Sequence, residues 1–208
     1  SFFLAYETIS ISLVGLIGYM REHKRSYEAA IKYLILSATA SAFLVLGMAF
    51  IYFELGTMEF SRLAAFLELG KFSEIIYFGI ALLLVGFGYK LALVPFHTWS
   101  PDVYQGAPAP VTAIIASGSK VAILALLLRL VSTSNLQADE ILYTLLYVLA
   151  VATMFGGNFL ALMQDNIKRL LAYSSIAQIG YLLIPLAAGG KSGAESITFY
   201  LVSYVVTT

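Results

Sequence analysis

Long apolar runs constrain this 208-residue chain more than any other feature. Several approach the ~20 residues that a helix needs to cross the hydrocarbon core of a bilayer. Only 12% of the residues are charged, against about 25% in ordinary soluble domains. A membrane-spanning segment must satisfy its own backbone hydrogen bonds, and the runs lack the alternation of barrel strands. The sequence therefore predicts an all-α polytopic transmembrane helix bundle, with segments at approximately 1–20, 27–53, 74–95, 108–131, 139–163, 167–188 and 195–208.

The composition excludes several classes of site and partner. The formal net charge is zero, which argues against nucleic acid as a partner. The chain has no cysteine, so disulfides, thiolate-bound iron–sulfur clusters and cysteine-ligated zinc are excluded. The two histidines, His23 and His97, lie on different segments, and no histidine-based metal or haem site is expected. Because both ends fall inside apolar runs without a signal pattern, residues 1–208 are predicted to be one transmembrane domain of a longer protein.

The charges of the connecting segments predict an orientation. Residues 20–26 (MREHKRS) and 164–169 (QDNIKR) are basic, whereas residues 54–71 and 135–140 carry more acidic groups. By the positive-inside rule, the basic connectors face the cytoplasm. This places the Ser1 end of the first helix on the opposite side of the membrane.

Two lysines lie where a membrane helix should not carry charge. Lys120 is about twelve residues from either end of its run, roughly mid-bilayer at 1.5 Å per residue, where insertion costs about 2.5–3.5 kcal/mol. Lys90 precedes Pro95 by five residues, and proline breaks helical hydrogen bonding. Such a broken helix is tolerated at membrane depth only when it packs in protein or lines a wet cavity. Both lysines are candidate ion-pathway groups; structural pairing of Lys120 and snorkelling of Lys90 are the alternatives.

Three further titratable residues complete the candidate set. Glu7 lies in an apolar setting, where a carboxylate stays charged only near a partner such as a lysine. Lys32 lies close to the predicted cytoplasmic end of the second segment, where snorkelling competes with a functional role. His97 has an unperturbed pKa near 6.5 and can exchange protons at physiological pH, although a structural hydrogen bond is an alternative. A string of titratable groups at bilayer depth is what proton translocation requires.

Two motifs carry a family resemblance. Residues 90–112 (KLALVPFHTWSPDVYQGAPAPVT) and 164–183 (QDNIKRLLAYSSIAQIGYLL) resemble the antiporter-like membrane subunits of respiratory complex I. More narrowly, SPDVYQGAPAPVT resembles subunit N of NADH-quinone oxidoreductase, and the similarity extends over essentially the whole chain. The resemblance implies the family's fifth to tenth helices and part of its eleventh. It matches Glu7, Lys32, Lys90 and Lys120 to titratable residues of the fifth to eighth helices, while Gln178 replaces a histidine common in relatives.

The same resemblance implies a function. The chain would belong to a proton-translocating membrane-arm subunit that couples electron transfer from NADH to quinone to proton pumping. NADH, flavin, iron–sulfur clusters and quinone would belong to partner subunits, and this chain would bind no cofactor. The partners would be other membrane-arm subunits and the lipid of a bacterial plasma membrane or an equivalent energy-transducing membrane.

The implied mechanism has Glu7 hold Lys90 protonated until the pair loosens. The proton then passes by water towards Lys120, with His97 on the route. Two alternatives stay open: a subunit of a multi-subunit sodium/proton antiporter, and a scaffold of the membrane arm that transports nothing.

Overall fold

The computed structural model describes residues 2–20, 23–59, 62, 72–132 and 139–208, where it is helical and contains no strand. The all-α prediction is therefore confirmed. A π-helical turn, Ile115–Ser119, joins the fifth helix to the sixth. The helices are α1 Phe2–Ile17, α2 Lys24–Leu55, α3 Glu74–Leu91, α4 Trp99–Gly106, α5 Ala109–Ile114, α6 Lys120–Ser132, α7 Glu140–Leu162, α8 Ile167–Ala188 and α9 Gly190–Thr207.

Five described helical spans are long and apolar enough to cross a membrane: α2, α3, the combined span Ala109–Val131, α7 and α8. Helix α1 is apolar but shorter. All seven predicted segments coincide with helices to within a few residues. Most of the acidic connectors, and Arg21 and Glu22 of the basic one, lie outside the described residues.

Short polar side chains determine where several helices begin. Ser73 Oγ accepts a hydrogen bond from the Ile76 amide before α3, and Asp139 accepts one from Leu142 before α7. Asn166 accepts from the amides of Lys168 and Arg169 before α8. Each cap satisfies backbone donors that the first turn of a helix leaves unpaired.

Helices α2 and α3 form one closely packed antiparallel pair, and α7 and α8 form another. A Cβ added to Gly47 would lie 2.6 Å from the Gly79 carbonyl oxygen, and one added to Gly180 would lie 2.7 Å from the Met154 amide nitrogen. Only glycine allows the backbones to approach this closely. The short helix α4 packs against α2 and α8 and so connects the two pairs.

The predicted helix break is present, but it begins before the proline. Helix α3 ends at Leu91, and Ala92 has a left-handed backbone (φ 58°). This conformation costs a non-glycine residue about 1 kcal/mol or more. Ala92 is fully buried and its amide donates to the Gly88 and Tyr89 carbonyls. The next helix, α4, begins only at Trp99.

Side chains satisfy backbone groups around the break. The Val94 amide donates to Thr153 Oγ1 of α7 at 3.1 Å, and Trp99 Nε1 donates to the Tyr89 carbonyl at 2.8 Å. Broken backbone in an apolar interior requires such partners, because an unpaired buried amide costs about 1–3 kcal/mol. Residues 91–93 are buried, Val94 is half-buried, and Pro95 is exposed. The start of the break is thus packed inside protein, one of the two conditions under which membrane proteins tolerate it.

The basic connectors meet at one end of the bundle. Lys168 Nζ of α8 donates to the Ala107 carbonyl at 2.9 Å, and Arg169 reaches Asp102 on α4. At the opposite end, Ser73 bonds to Glu54 at 2.6 Å and Tyr77 to Asp139 at 2.5 Å. The alternation of ends agrees with the predicted topology, while the side that faces the cytoplasm stays a prediction.

Candidate functional site

The structure buries both lysines that the sequence singled out. Lys90 is 3% exposed in the last turn of α3, and Lys120 is 0% exposed at the start of α6. Neither lysine reaches the surface of the bundle, so the snorkelling alternative for Lys90 is wrong. A buried ammonium is stable only with polar partners, and the two lysines find different ones.

Lys90 has partners from two neighbouring helices. Its Nζ donates to Ser10 Oγ of α1 at 2.6 Å and to the Tyr33 hydroxyl of α2 at 2.8 Å. The same atom lies 4.9 Å from the centre of the Tyr6 ring and 5.1 Å from that of Tyr33. Aromatic faces at this distance attract a cation. These four residues form what we call the Lys90 cluster.

Glu7 lies beside this cluster without forming an ion pair with Lys90. Its carboxylate accepts a hydrogen bond from Ser41 of α2, and no ion pair within 4.0 Å involves Lys90 in the described part of the chain. Any effect of the Glu7 charge on Lys90 would therefore act through space. The predicted mechanism requires Glu7 and Lys90 to form a pair that later loosens, and this conformation contains no direct contact of that kind.

Lys120 is surrounded by hydroxyl groups. Its Nζ donates to Ser175 Oγ of α8 at 2.6 Å and lies 5.9 Å from the centre of the Tyr104 ring. Ser175 contacts the Tyr104 hydroxyl at 3.4 Å and the Tyr204 hydroxyl of α9 at 2.5 Å. These four residues, from α4, α6, α8 and α9, form the Lys120 cluster. Its charge is solvated by protein hydroxyls rather than by a carboxylate.

The two clusters approach each other across helix α4 but do not share a hydrogen-bond partner among the residues that the structure describes. Trp99 of α4 packs edge-on against Tyr33 with ring centres 5.3 Å apart. Tyr104, on the next turns of α4, belongs to the Lys120 cluster. One short buried helix thus carries an aromatic neighbour of each cluster.

His97 lies in the segment between α3 and α4. Its ring centre is 6.2 Å from that of Tyr173, two residues before Ser175 on α8. Its Nδ1 atom is buried without a hydrogen-bond partner in the described chain. By a looser contact the ring still interacts with the Pro95 backbone, so the structural hydrogen bond and the relay role both stay predictions.

Lys32 lies apart from both clusters. Its Nζ pairs with Glu28 at 2.7 Å and with Asp102 at 3.0 Å, and its side chain is 42% exposed. Arg169 reaches the same Asp102 carboxylate at 2.6 Å. Burial acts to raise the pKa of Asp102, but hydrogen bonds from Lys32 and Arg169 outweigh this and hold that pKa below its usual range. Lys32 therefore joins α2 to α4, and its predicted role in proton transfer remains untested.

Sequence reasoning missed the hydroxyl groups that solvate the lysines. Ser10, Tyr33, Ser175 and Tyr204 are each under 9% exposed, yet each is a common residue type within an apolar helix. Their significance depends on which helices pack together, which the one-dimensional pattern does not contain. No group of three or more metal-ligating side chains occurs in the described residues.

Comparisons with known proteins agree with this architecture. The whole chain, residues 1–208, matches the family described as NADH:quinone oxidoreductase/Mrp antiporter, TM. It is 50% identical over 206 residues to NADH-quinone oxidoreductase subunit N of Ectopseudomonas mendocina, covering 99% of this chain and 42% of that protein. Subunit N of Chromohalobacter salexigens is 47% identical over 206 residues, with 99% and 43% covered. The chain thus spans less than half the length of these curated relatives.

Solved structures share the helix arrangement. A chain of respiratory complex I from Thermus thermophilus has a TM-score of 0.81 at 37% identity, with 98% of this chain and 43% of that chain covered. A chain of the archaeal membrane-bound sulfane sulfur reductase has a TM-score of 0.87 at 30% identity, with 98% and 42% covered. A chain of the Mrp complex from Dietzia sp. DQ12-45-1b has a TM-score of 0.86 at 26% identity, with 99% and 38% covered.

Proposed function

Because the chain belongs to the transmembrane family shared by NADH:quinone oxidoreductase and Mrp antiporter complexes, we propose that it conducts protons within a membrane-arm subunit of NADH-quinone oxidoreductase. It is a multi-pass membrane protein. The subunit N relatives at 47% and 50% identity support the redox-driven complex over its antiporter counterpart. NADH, flavin, iron–sulfur clusters and quinone are assigned to partner subunits, since this chain has no cysteine to ligate a cluster.

One observation carries the proposal: two lysines are buried in the bundle and hydrogen-bonded to hydroxyl groups rather than locked in ion pairs. Burial disfavours the charged form of a lysine. A hydroxyl stabilises the ammonium less than a paired carboxylate does, so each lysine can lose its proton at a modest cost. A structural ion pair would favour one charge state far more strongly.

In the proposed mechanism, Glu7 stabilises the charge of Lys90 through space. A rearrangement that withdraws this negative charge lets Lys90 release its proton towards Lys120. His97 exchanges the proton on the way, for which its unpaired Nδ1 is available. Lys32, half-exposed at the predicted cytoplasmic end, remains a proposed proton-transfer group, and its ion pairs with Glu28 and Asp102 would have to open before it gives up a proton.

The test replaces each buried lysine in the full-length subunit within the intact complex. Lys90→Ala and Lys120→Ala should each lower NADH-driven proton pumping in proteoliposomes at least about tenfold, a change of 1.4 kcal/mol or more. Lys191→Ala, at an exposed position of α9, is the matched control and should pump normally. Normal pumping by both variants in correctly assembled complex would refute the proposal.

The likeness to the Mrp chain favours a second candidate function, a sodium/proton antiporter subunit. The two functions differ in their driving force. Purification of the native complex distinguishes them, because only the first function requires peripheral redox subunits and NADH-driven pumping without added sodium.

A further inference from the structure

We propose that Tyr204 is a positioning residue that fixes Ser175 as a hydrogen-bond acceptor for Lys120 and thereby sets how readily Lys120 gives up its proton. This inference rests on the proposed function, since it concerns a proton held by Lys120. Tyr204 lies on α9, is 5% exposed, and makes no hydrogen bond to Lys120 among the described residues. Its influence must therefore pass through another group.

Counting protons fixes the direction of the hydrogen bonds. The Tyr204 hydroxyl has one proton, and the Ala116 carbonyl at 2.9 Å can only accept it. In the 2.5 Å contact between the two hydroxyls, Ser175 must then be the donor. With its single proton used on Tyr204, Ser175 offers both lone pairs to the remaining neighbours, Lys120 at 2.6 Å and Tyr104 at 3.4 Å. Every hydrogen bond of Ser175 is thus assigned.

The π-helical turn supplies the carbonyl acceptor for Tyr204, the first hydrogen bond of this series. In a regular α-helix the Lys120 amide would donate to the Ala116 carbonyl, four residues earlier. Here the Lys120 amide donates to the Ser117 carbonyl instead. The Ala116 carbonyl is released from that bond and accepts from Tyr204. The irregular backbone immediately before Lys120 is therefore connected to the side-chain network around its ammonium group.

The orientation of Ser175 favours one charge state of Lys120. An acceptor stabilises the ammonium form, which has three protons to donate. A neutral amine keeps two protons to donate but also presents a lone pair, and Ser175 cannot donate to that lone pair because its proton is committed to Tyr204. Proton release by Lys120 is therefore opposed until the Tyr204 hydroxyl turns away from Ala116 and the Ser175 hydroxyl turns with it.

The test is a double-mutant cycle in the intact complex. Tyr204→Phe should change the NADH-driven pumping rate about three- to tenfold, the effect of one neutral hydrogen bond. In a Ser175→Ala background, Tyr204→Phe should change the pumping rate less than it does alone, because the part of its effect that passes through Ser175 is already lost. Loss of the bond to the Ala116 carbonyl is common to both backgrounds. A merely structural role of Tyr204 predicts independent losses that multiply, and that outcome overturns the inference, as does a wild-type rate for Tyr204→Phe.

Tyr200→Phe is the matched control. Tyr200 lies one turn earlier on α9 and bonds to Gln178 rather than to Ser175. Its loss should leave pumping unchanged; an effect equal to that of Tyr204→Phe overturns the inference. If Tyr204→Phe fails to assemble, 3-fluorotyrosine at position 204 keeps the ring and strengthens the hydroxyl donor. 3-Fluorotyrosine at position 204 should alter the pumping rate, whereas 3-fluorotyrosine at position 200 should not. Equal pumping rates for the two variants overturn the inference.

Lys120→Ala separates this inference from the proposed function. Normal pumping by Lys120→Ala means that the proposed function fails. Loss of pumping by Lys120→Ala together with an unaffected Tyr204→Phe means that only the role of Tyr204 fails.

Discussion

Lys90 lies at the end of a broken helix with an acidic residue nearby, whereas Lys120 follows a π-helical turn and hydrogen-bonds to one serine hydroxyl. Lys90 has two hydrogen-bond acceptors from α1 and α2 and two aromatic faces. Lys120 donates to Ser175 and has one more distant aromatic face. A membrane protein can thus retain a buried lysine in two ways. One uses several hydrogen-bond and aromatic partners with a carboxylate nearby, and the other uses one hydroxyl whose direction is fixed by its own hydrogen bonds.

The two regions also share a principle. Each lysine lies within a few residues of a backbone irregularity, and a side chain from another helix satisfies the freed backbone group. At the break, Thr153 accepts from the Val94 amide; at the π-helical turn, Tyr204 donates to the Ala116 carbonyl. At the break, different helices bind the two groups: α7 binds the Val94 amide, and α1 and α2 bind Lys90. At the π-helical turn, Tyr204 of α9 and Ser175 of α8 belong to one hydrogen-bonded network.

The largest difference between the clusters should appear when one serine is removed from each. Ser175→Ala removes the hydroxyl acceptor of Lys120, while Ser10→Ala leaves Lys90 with the Tyr33 hydroxyl. A hydrogen bond to a charged group contributes about 1.5–3 kcal/mol. We expect Ser175→Ala to lower NADH-driven pumping more than about tenfold and Ser10→Ala only about two- to threefold. Equal losses in assembled complexes would abolish the distinction.

Thr153→Val tests the break while leaving the Lys120 cluster intact. The substitution keeps the side-chain shape but leaves the Val94 amide without its acceptor, at a cost of about 1–2 kcal/mol. The purified complex should therefore inactivate at a lower temperature. Thr144→Val, at an exposed position of the same helix, provides the control. An unchanged inactivation temperature for Thr153→Val would show that the break has another support.

Glu7→Gln tests whether a charge at a distance matters to Lys90. Because any effect of Glu7 on Lys90 would act through space rather than by contact, we expect an intermediate loss of pumping, about threefold. In a Lys90→Ala background, Glu7→Gln should cause no further loss of pumping. The control Glu195→Gln, on the exposed side of α9, should pump at the wild-type rate. A further loss without Lys90 would assign Glu7 a role independent of that lysine.

The smallest effect is expected for Asp102→Asn, outside both clusters. Its pairs with Lys32 and Arg169 are partly exposed, and such pairs contribute less than about 1 kcal/mol. The lowered pKa of Asp102 stabilises the fold above the unfolded value of about 3.9, and this is lost only as pH falls through the lower folded value. Thermal inactivation of variant and wild type should thus differ by a constant small amount between about pH 6 and pH 8. A difference that grows across this range would contradict the assignment.

The sequence predicted the parts of this arrangement whose cost is local. A lysine in an apolar run is expensive wherever the helix packs, so Lys90 and Lys120 stand out from the order of residues alone. The partners of Lys120 do not stand out in the same way. Ser175 is 55 residues from Lys120 along the chain, and Tyr204 is a further 29 residues from Ser175. Their importance arises only when α6, α8 and α9 meet.

Backbone irregularities were predictable only in part. Pro95 indicated a break, but the helix already ends at Leu91, where buried Ala92 adopts a left-handed conformation. An alanine gives no sign of such a conformation in the sequence. The π-helical turn at Ile115–Ser119 likewise has no signature in its residues IASGS. Lys32 was placed correctly near a helix end, while its pairing with Asp102 required the fold of α4 against α2.

The bond between Thr153 and the Val94 amide has a mechanical consequence. Thr153 lies near the middle of α7, which packs along α8, and Val94 lies on the segment that leads from Lys90 into α4. If α7 moved sideways and the segment did not follow, the Val94 amide would lose its hydrogen-bond acceptor. A displacement of α7 towards the bundle would therefore move the backbone at Val94, four residues after Lys90, with no change of charge.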